Sequence, residues 1–264
     1  MDRTFLRIVL MTICATFASV LLSANHSWGG YHWARTSNPF TLDLGVNMPP
    51  WWHPYVGKAS LDWNVSSVLD TTPVQGGTNA TACNPTSGRV EVCVSFYGNT
   101  GWLGLAQVWL SGLHIVQGVV KINDTYFHQR HYNTNAWRQL VMCQEVGHTL
   151  GLDHQDENFG NANLGTCMDY TNDPDGSIGG QLSNVSPNEH DYEQLDIIYA
   201  HLDSTTTVGN LRAARELPPA MRDIDFAARG QWGRLVKRTN NGRAAIYELD
   251  FGRGFKVHTF VIFA

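Results

Sequence analysis

The sequence predicts an α+β fold, and three observations predict it. Residues 40–46 and 89–97 alternate apolar and polar side chains, the two-residue period of a strand. Residues 137–148 and 192–199 repeat apolar side chains at the three- and four-residue steps of a helix. Residues 231–264 carry two turn signals, Asn241-Gly242 and Gly252-Arg253-Gly254, which divide them into a three-stranded meander.

Taken in order, residues 1–27 have the make-up of a secretory signal peptide. Arg3 and Arg7 give a short basic end, Ile8 to Leu22 is mostly apolar, and Leu22-Ser23-Ala24 offers a cleavage site. The apolar run is short against the about 20 residues of a membrane-spanning helix. A secreted or extracytoplasmic protein with no stable membrane anchor is therefore expected, and Cys14 would leave with the leader.

The main domain is expected over 28–205. Phe40, Leu42, Leu44 and Val46 alternate as a first strand. Residues 56–69 read as a helix, with Leu61, Val65 and Val68 at helical spacing. Residues 89–97, RVEVCVSFY, read as a strand, and 101–109 and 118–122 as two more. Thr134-Asn135 can cap the next helix, which aligns Trp137, Leu140, Val141, Gln144 and His148 in one stripe. Gly151 is the residue type that ends a helix and turns the chain. Asp173-Pro174-Asp175-Gly176 reads as a solvated turn, with calcium binding as the alternative. Ser186-Pro187-Asn188-Glu189 has a capping serine, a proline at the first position and a capping-box glutamate. The helix it opens is expected to run to about Leu202, with Tyr192, Leu195, Ile198 and Tyr199 inward. Pro218-Pro219 lies in a linker over 206–230. The meander at 231–264 is too small to stand alone and is expected to pack on the main domain as a structural extension.

The net charge is −5, with signs interspersed and only 16% charged residues. Nothing in that balance suggests a nucleic-acid surface. Four cysteines remain after the leader, and an even count in an exported chain suggests two disulfides. Proximity favours Cys83–Cys93 across a short loop. Thiolate metal ligation is the weaker choice, because the cysteines lack close paired spacing. Asn64, Asn79, Asn123 and Asn184 fit glycosylation sequons.

The chemistry concentrates in residues 141–170, VMCQEVGHTLGLDHQDENFGNANLGTCMDY. Gln144 and His148 lie four apart and share a helix face, Glu145 is offset to its side, and a turn at Gly151 can return His154 to the same point. Burying Gln and His without partners would cost several kcal/mol, so a shared metal or a hydrogen-bond network is the better account of that face.

Here the chain resembles the metzincin metalloproteases, and among them the matrixins, whose motif is H-E-x-x-H-x-x-G-x-x-H followed by a Met-turn. This sequence reads QEVGHTLGLDH over 144–154 and then Cys167-Met168-Asp169-Tyr170. Glutamine stands at the first ligand position, and the other motif positions match. The likeness in order of elements covers residues 31–202. It implies a twisted mixed sheet, an active-site helix, the Met-turn and a C-terminal helix. It also implies an edge strand at Gly104-Leu105-Ala106 that pairs with extended peptide substrate, and a monomer acting on peptide or protein. In that fold the active helix adjoins the Met-turn, which makes Cys143–Cys167 the second disulfide. Its loop would contribute roughly 3–4 kcal/mol in the chain-entropy model. No propeptide or cysteine-switch sequence is found.

The resemblance makes His148, His154 and Gln144 zinc ligands, Glu145 the general base and Met168 packing beneath the metal. Tyr170 matches the tyrosine of astacins and serralysins, which approaches the metal or the oxyanion; a buried structural tyrosine is the alternative. Gln144 leaves three states open: zinc with a weak third ligand, another metal, or no metal. His114, His128, His131 and His190 are the other histidines that a metal could recruit. The preferred function is zinc-dependent peptide hydrolysis, and the alternative is a silent relative that binds peptide or a partner protein through the same cleft.

Overall fold

The computed structural model describes residues 26–221, 224, 227–239 and 241–264. The expected leader lies outside these residues apart from His26 and Ser27, which are tied into the fold. His26 donates its backbone N–H to Gln194, its carbonyl accepts from Asp153, and Ser27 bridges Leu152.

The strands are β1 (His32–Trp33), β2 (Phe40–Asn47), β3 (Leu69–Gln75), β4 (Val90–Ser95), β5 (Trp102–Ser111), β6 (His114–Asn123), β7 (Arg234–Arg238), β8 (Ala244–Asp250) and β9 (Phe255–Phe263). The helices are α1 (His53–Trp63), α2 (Asn135–Thr149) and α3 (Glu189–Ile198). One mixed sheet runs β3-β2-β4-β6-β5-β9-β8-β7, with β1 parallel to β6 off that path. The β3-β2-β4-β6 half is parallel, and every pair from β6–β5 onward is antiparallel. The fold is α+β, as expected from the sequence, and three of the four strands read in the main domain fall within about two residues of their expected places.

The helices pack on this sheet for legible reasons. Thr134 accepts from the Trp137 N–H and caps α2, whose stripe of Trp137, Leu140, Val141, Gln144 and His148 is buried against β5 and β6. Two elements differ from expectation. The first helix spans His53–Trp63, and it turns Val56, Ala59, Ser60 and Trp63 inward. Leu61 and Val65 point to solvent, because the Trp63 indole and its N–H bond to the Cys143 carbonyl fix the other face. The last helix is capped by Asn188, with Asp191 closing the capping box, two residues later than Ser186 predicts.

Both expected disulfides are present, Cys83–Cys93 and Cys143–Cys167, as suits an oxidising compartment. Among the described residues no helix is long and apolar enough to cross a membrane. Asp173 accepts from the Ile178 N–H and the Ser177 hydroxyl, so the 173–176 segment is a self-bonded turn. Two of the four sequons are built inward: Asn123 and Asn184 are fully buried, and their amide groups donate to the Trp102 carbonyl and to Asp169.

The three-stranded meander is present with its two turns, but it is not an extension laid on a finished domain. β9 pairs with β5 along its whole length, so the meander continues the central sheet. Close packing around α2 depends on Gly147: a Cβ there would stand 2.6 Å from Met168 Sδ and 2.7 Å from Trp63 Cζ2. Gly147→Ala is expected to destabilise by about 1–3 kcal/mol, the usual cost of overpacking. Thermal unfolding at an unchanged midpoint would show that the Met168 shelf yields freely.

Candidate active site

The residues singled out from the sequence converge at the C-terminal end of α2. The helix stops at Thr149, and Gly151 reverses the chain at φ +103°, a left-handed conformation that suits glycine. A Cβ on Gly151 would also stand 2.6 Å from the Tyr31 carbonyl oxygen. The turn returns His154 to His148, with ring centroids 4.5 Å apart and planes at 82°. His148 Nδ1 donates to the Leu152 carbonyl at 2.8 Å, which leaves Nε2 of a neutral ring with its lone pair. Burial, then the neighbouring His154, pushes the His148 pKa down to about 3.

Gln144 lies one helical turn before His148. Its amide Nε2 donates to the Cys167 carbonyl at 2.9 Å, so the Met-turn fixes which way the amide faces. The remaining Oε1 is buried without a partner. Met168 itself packs beneath α2 at Gly147. Tyr170 is buried with its ring 4.1 Å from that of His154, and Phe159 stacks on its other side at 4.7 Å. Burial pushes the Tyr170 hydroxyl well above its ordinary range.

Glu145 is buried, and its Oε2 has no partner. Desolvation holds its carboxyl well above the usual carboxylate range. β5 passes close over it: a Cβ on Gly104 would lie 2.6 Å from Val141 Cγ1 and 3.0 Å from Glu145 Oε1. His154 Nδ1 is 3.3 Å from Asp153 Oδ1 without hydrogen-bond alignment, and both of its ring nitrogens lack hydrogen-bond partners.

The cleft edge is where expectation and structure part. Gly104-Leu105-Ala106 is read from the sequence as a free edge for substrate. In the structure these residues pair with Ile262, Val261 and Phe260 of β9. Phe260 stacks on His148 at 4.4 Å with planes 12° apart, and the Trp28 indole N–H donates to the His148 carbonyl. Lys237 of β7 bridges Asp153 and Glu157, and Arg243 lies over the Phe159 ring. The crevice between His154, Tyr170, Lys237 and Ala245 is too narrow to hold water. The segment 231–264 packs on the main domain, as expected, and it does so by joining the central sheet and lying against His148, His154 and Tyr170. Phe260, Lys237 and Trp28 were not singled out from the sequence. A signal for the first was present, since VHTFVIF over 257–263 is more apolar than a surface strand and suits a central one.

The alternative histidines do not join the site. His114 faces Asp203, His128 lies 3.5 Å from Asp124, His131 packs on Tyr132 and Trp137, and His190 packs on His26.

The donor types suit a small divalent cation. Gln144 Oε1 is a buried acceptor without a partner, a neutral His154 ring has one lone pair to offer, and His148 is held in the tautomer that leaves Nε2 its lone pair. Orphaned groups of this kind cost about 1–3 kcal/mol each when nothing meets them. Two imidazoles and one amide oxygen form a mixed nitrogen and oxygen set that zinc accepts.

No family model matches this chain, and no curated protein sequence matches it. Solved structures do. The chain is similar to high choriolytic enzyme 1, a hatching enzyme zinc-protease from the medaka Oryzias latipes, at TM-score 0.35 and 10% identity, over 64% of this chain and 94% of that one. It is similar to myroilysin in two structures. One has TM-score 0.34 and 12% identity over 63% of this chain and 82% of that one. The other has TM-score 0.34 and 11% identity over 64% and 86%.

Proposed function

We propose that this chain is a secreted zinc-dependent metalloendopeptidase held latent by its own C-terminal strands. The observation that supports this reading is the buried set without hydrogen-bond partners around the turn at Gly151: Gln144 Oε1, Glu145 Oε2 and His154 Nε2. Gln144 Oε1, His148 Nε2 and a ring nitrogen of His154 would hold the ion. Bound there, zinc supplies a Lewis acid that polarises a scissile carbonyl and makes water more acidic.

The remaining steps belong to the chain's own residues. Glu145 takes the proton of the attacking water as the water oxygen bonds to the carbonyl carbon. It then gives that proton to the amide nitrogen as the C–N bond breaks. Tyr170, packed on His154, would supply its hydroxyl to the charge that develops on the carbonyl oxygen. An extended substrate would need the β5 edge at Gly104–Ala106, where peptide backbone can add as a further strand. β9 holds that edge, which is why the reading includes latency.

Glu145→Ala tests the assignment. It is expected to abolish hydrolysis of a quenched fluorescent peptide in any preparation that has it, while zinc content stays unchanged, because Glu145 is not a ligand. Hydrolysis surviving at the parental rate would place the chemistry elsewhere.

A further inference from the structure

A second cluster of metal-ligating side chains lies away from the Gln144 site, where β1 meets the segment that leaves α3. His32 Nε2 is 3.4 Å from Asp203 Oδ1 and 3.2 Å from His201 Nε2, and His201 Nε2 is 3.8 Å from the same Oδ1. A point equidistant from those three atoms lies about 2.0 Å from each, which is the zinc–imidazole and zinc–carboxylate distance.

His32 presents a lone pair to the other two atoms, and the hydrogen bond that His201 Nε2–H now donates to it would give way to a bound cation. His32 Nδ1 is 2.9 Å from the Gly30 carbonyl, which only accepts, so Nδ1 carries the proton and a neutral ring presents a bare Nε2. That bare nitrogen faces a carboxylate oxygen, which is also an acceptor. His32 is almost fully buried. Asp203 is fixed from behind: Oδ2 accepts from Arg35 Nη1 at 2.9 Å and from the Arg35 backbone N–H at 3.2 Å. His114, opposite His32 in the β1–β6 register, donates to Oδ1 at 3.2 Å. A ligand imidazole with its other nitrogen on a backbone carbonyl, beside a carboxylate held by its own partners, is the arrangement that orients first-row metal ligands.

Among the described residues a second three-residue group has metal-ligand spacing, Asp153, His154 and Glu157, but its two carboxylates already share a cation, the Lys237 ammonium. At the His32 cluster the Arg35 guanidinium takes Asp203 Oδ2 and leaves Oδ1 toward the histidines.

We propose that His32, His201 and Asp203 form a zinc site separate from the Gln144 site, with His114 orienting the carboxylate and the fourth position open to water. His32 is continuous with the strap of residues 26–33 that lies along the end of α2: the Trp28 and Trp33 indoles donate to the His148 and Thr149 carbonyls. Zinc at His32 would therefore fasten that strap to the 201–203 segment. The site is structural in this sense, with partly exposed ligands through which the ion exchanges; the His201 side chain is 55% exposed.

The test uses the full chain, stripped with a chelator and titrated with Zn²⁺ alone. His201→Ala and His148→Ala are compared with the parent. The exposure of His201 lets its variant fold, and equal unfolding midpoints of parent and His201→Ala in chelator check that. The expected result is that His201→Ala binds one zinc fewer per chain, whereas His148→Ala keeps that equivalent. Saturating this site with zinc, at about 100 times its dissociation constant, should raise the midpoint by about 5–10 °C in His148→Ala chains, and that rise should be lost when His201→Ala is added. Asp203→Asn should lose the same equivalent, and His114→Ala should retain it with weaker affinity. Equal zinc stoichiometry in parent and His201→Ala would overturn the proposal, as would a parent that takes up no zinc. The cluster would then be an imidazolium–carboxylate pair.

Discussion

Phe260→Ala is expected to switch on peptide hydrolysis that the proposed latency holds silent in the parent. The ring stacks on His148 and also meets the Trp28 indole, with centroids 5.2 Å apart. It belongs to the main core, and its strand covers the β5 edge at Ala106. Truncating a buried phenylalanine costs about 3–5 kcal/mol. Where that cost falls on the docking of β9, each 1.4 kcal/mol raises the undocked fraction tenfold, so the open population rises by two orders of magnitude or more. The measurement is hydrolysis of a quenched peptide with zinc present, in the parent, in Phe260→Ala, and in Phe260→Ala with Glu145→Ala. Limited proteolysis of the Asn241-Gly242 turn in the same samples reports undocking independently. Hydrolysis should follow undocking and vanish in the double variant. Undocking without hydrolysis would instead favour the silent relative, in which Gln144 has ended the chemistry and the cleft serves binding.

The same strand explains why the site was legible in the sequence and the cleft was not. Motif residues are close in the chain: Gln144, Glu145 and His148 sit within two helical turns, and Gly151 forces the return of His154 through local backbone geometry. Periodicity and turn chemistry act over that range, so residue types alone predicted the convergence. Disulfide Cys143–Cys167 was legible only through the resemblance, because its partners belong to separate elements. The pairing of β5 with β9 joins residues 144–161 positions apart, such as Gly104 and Ile262. No local pattern encodes a partner at that distance. The meander's turns and strands could be read, whereas the edge it would choose could not.

Misread faces have a similar cause. Leu61 and Val65 have helical spacing, yet Trp63 decides which side of α1 is buried because its indole also finds the Cys143 carbonyl. Where a large aromatic competes with smaller aliphatics for one interface, the larger buried area prevails. At the second cluster, His32, His201 and Asp203 come from two ends of the domain. His32 stands singly near the start of the chain, and His201 and Asp203 follow α3 by a few residues. Only the β1–β6 pairing and the Arg35 contacts assemble them.

Gln144→His is expected to tighten zinc binding at the first site by about 10–100-fold, the scale on which metal affinity responds to a change in the ligand shell. Gln144 now spends its amide N–H on the Cys167 carbonyl and offers an amide oxygen, a harder and weaker donor to zinc than imidazole. A histidine at this position can keep the first interaction and improve the second. Its Nδ1–H can meet the same Cys167 carbonyl, as His148 meets the Leu152 carbonyl, and its Nε2 then carries the lone pair. The position is fully buried, and the two side chains are similar in length, so the fold should hold with a change in unfolding midpoint of a few degrees. Hydrolysis need not rise in step while β9 occupies the cleft, which makes affinity the proper readout and Phe260→Ala the proper background for activity. Competition against a chelator, in His201→Ala chains so that only the first site is counted, measures the change. Equal or weaker zinc affinity in Gln144→His would show that position 144 does not serve the metal, and the three-ligand assignment with His148 and His154 would fall with it.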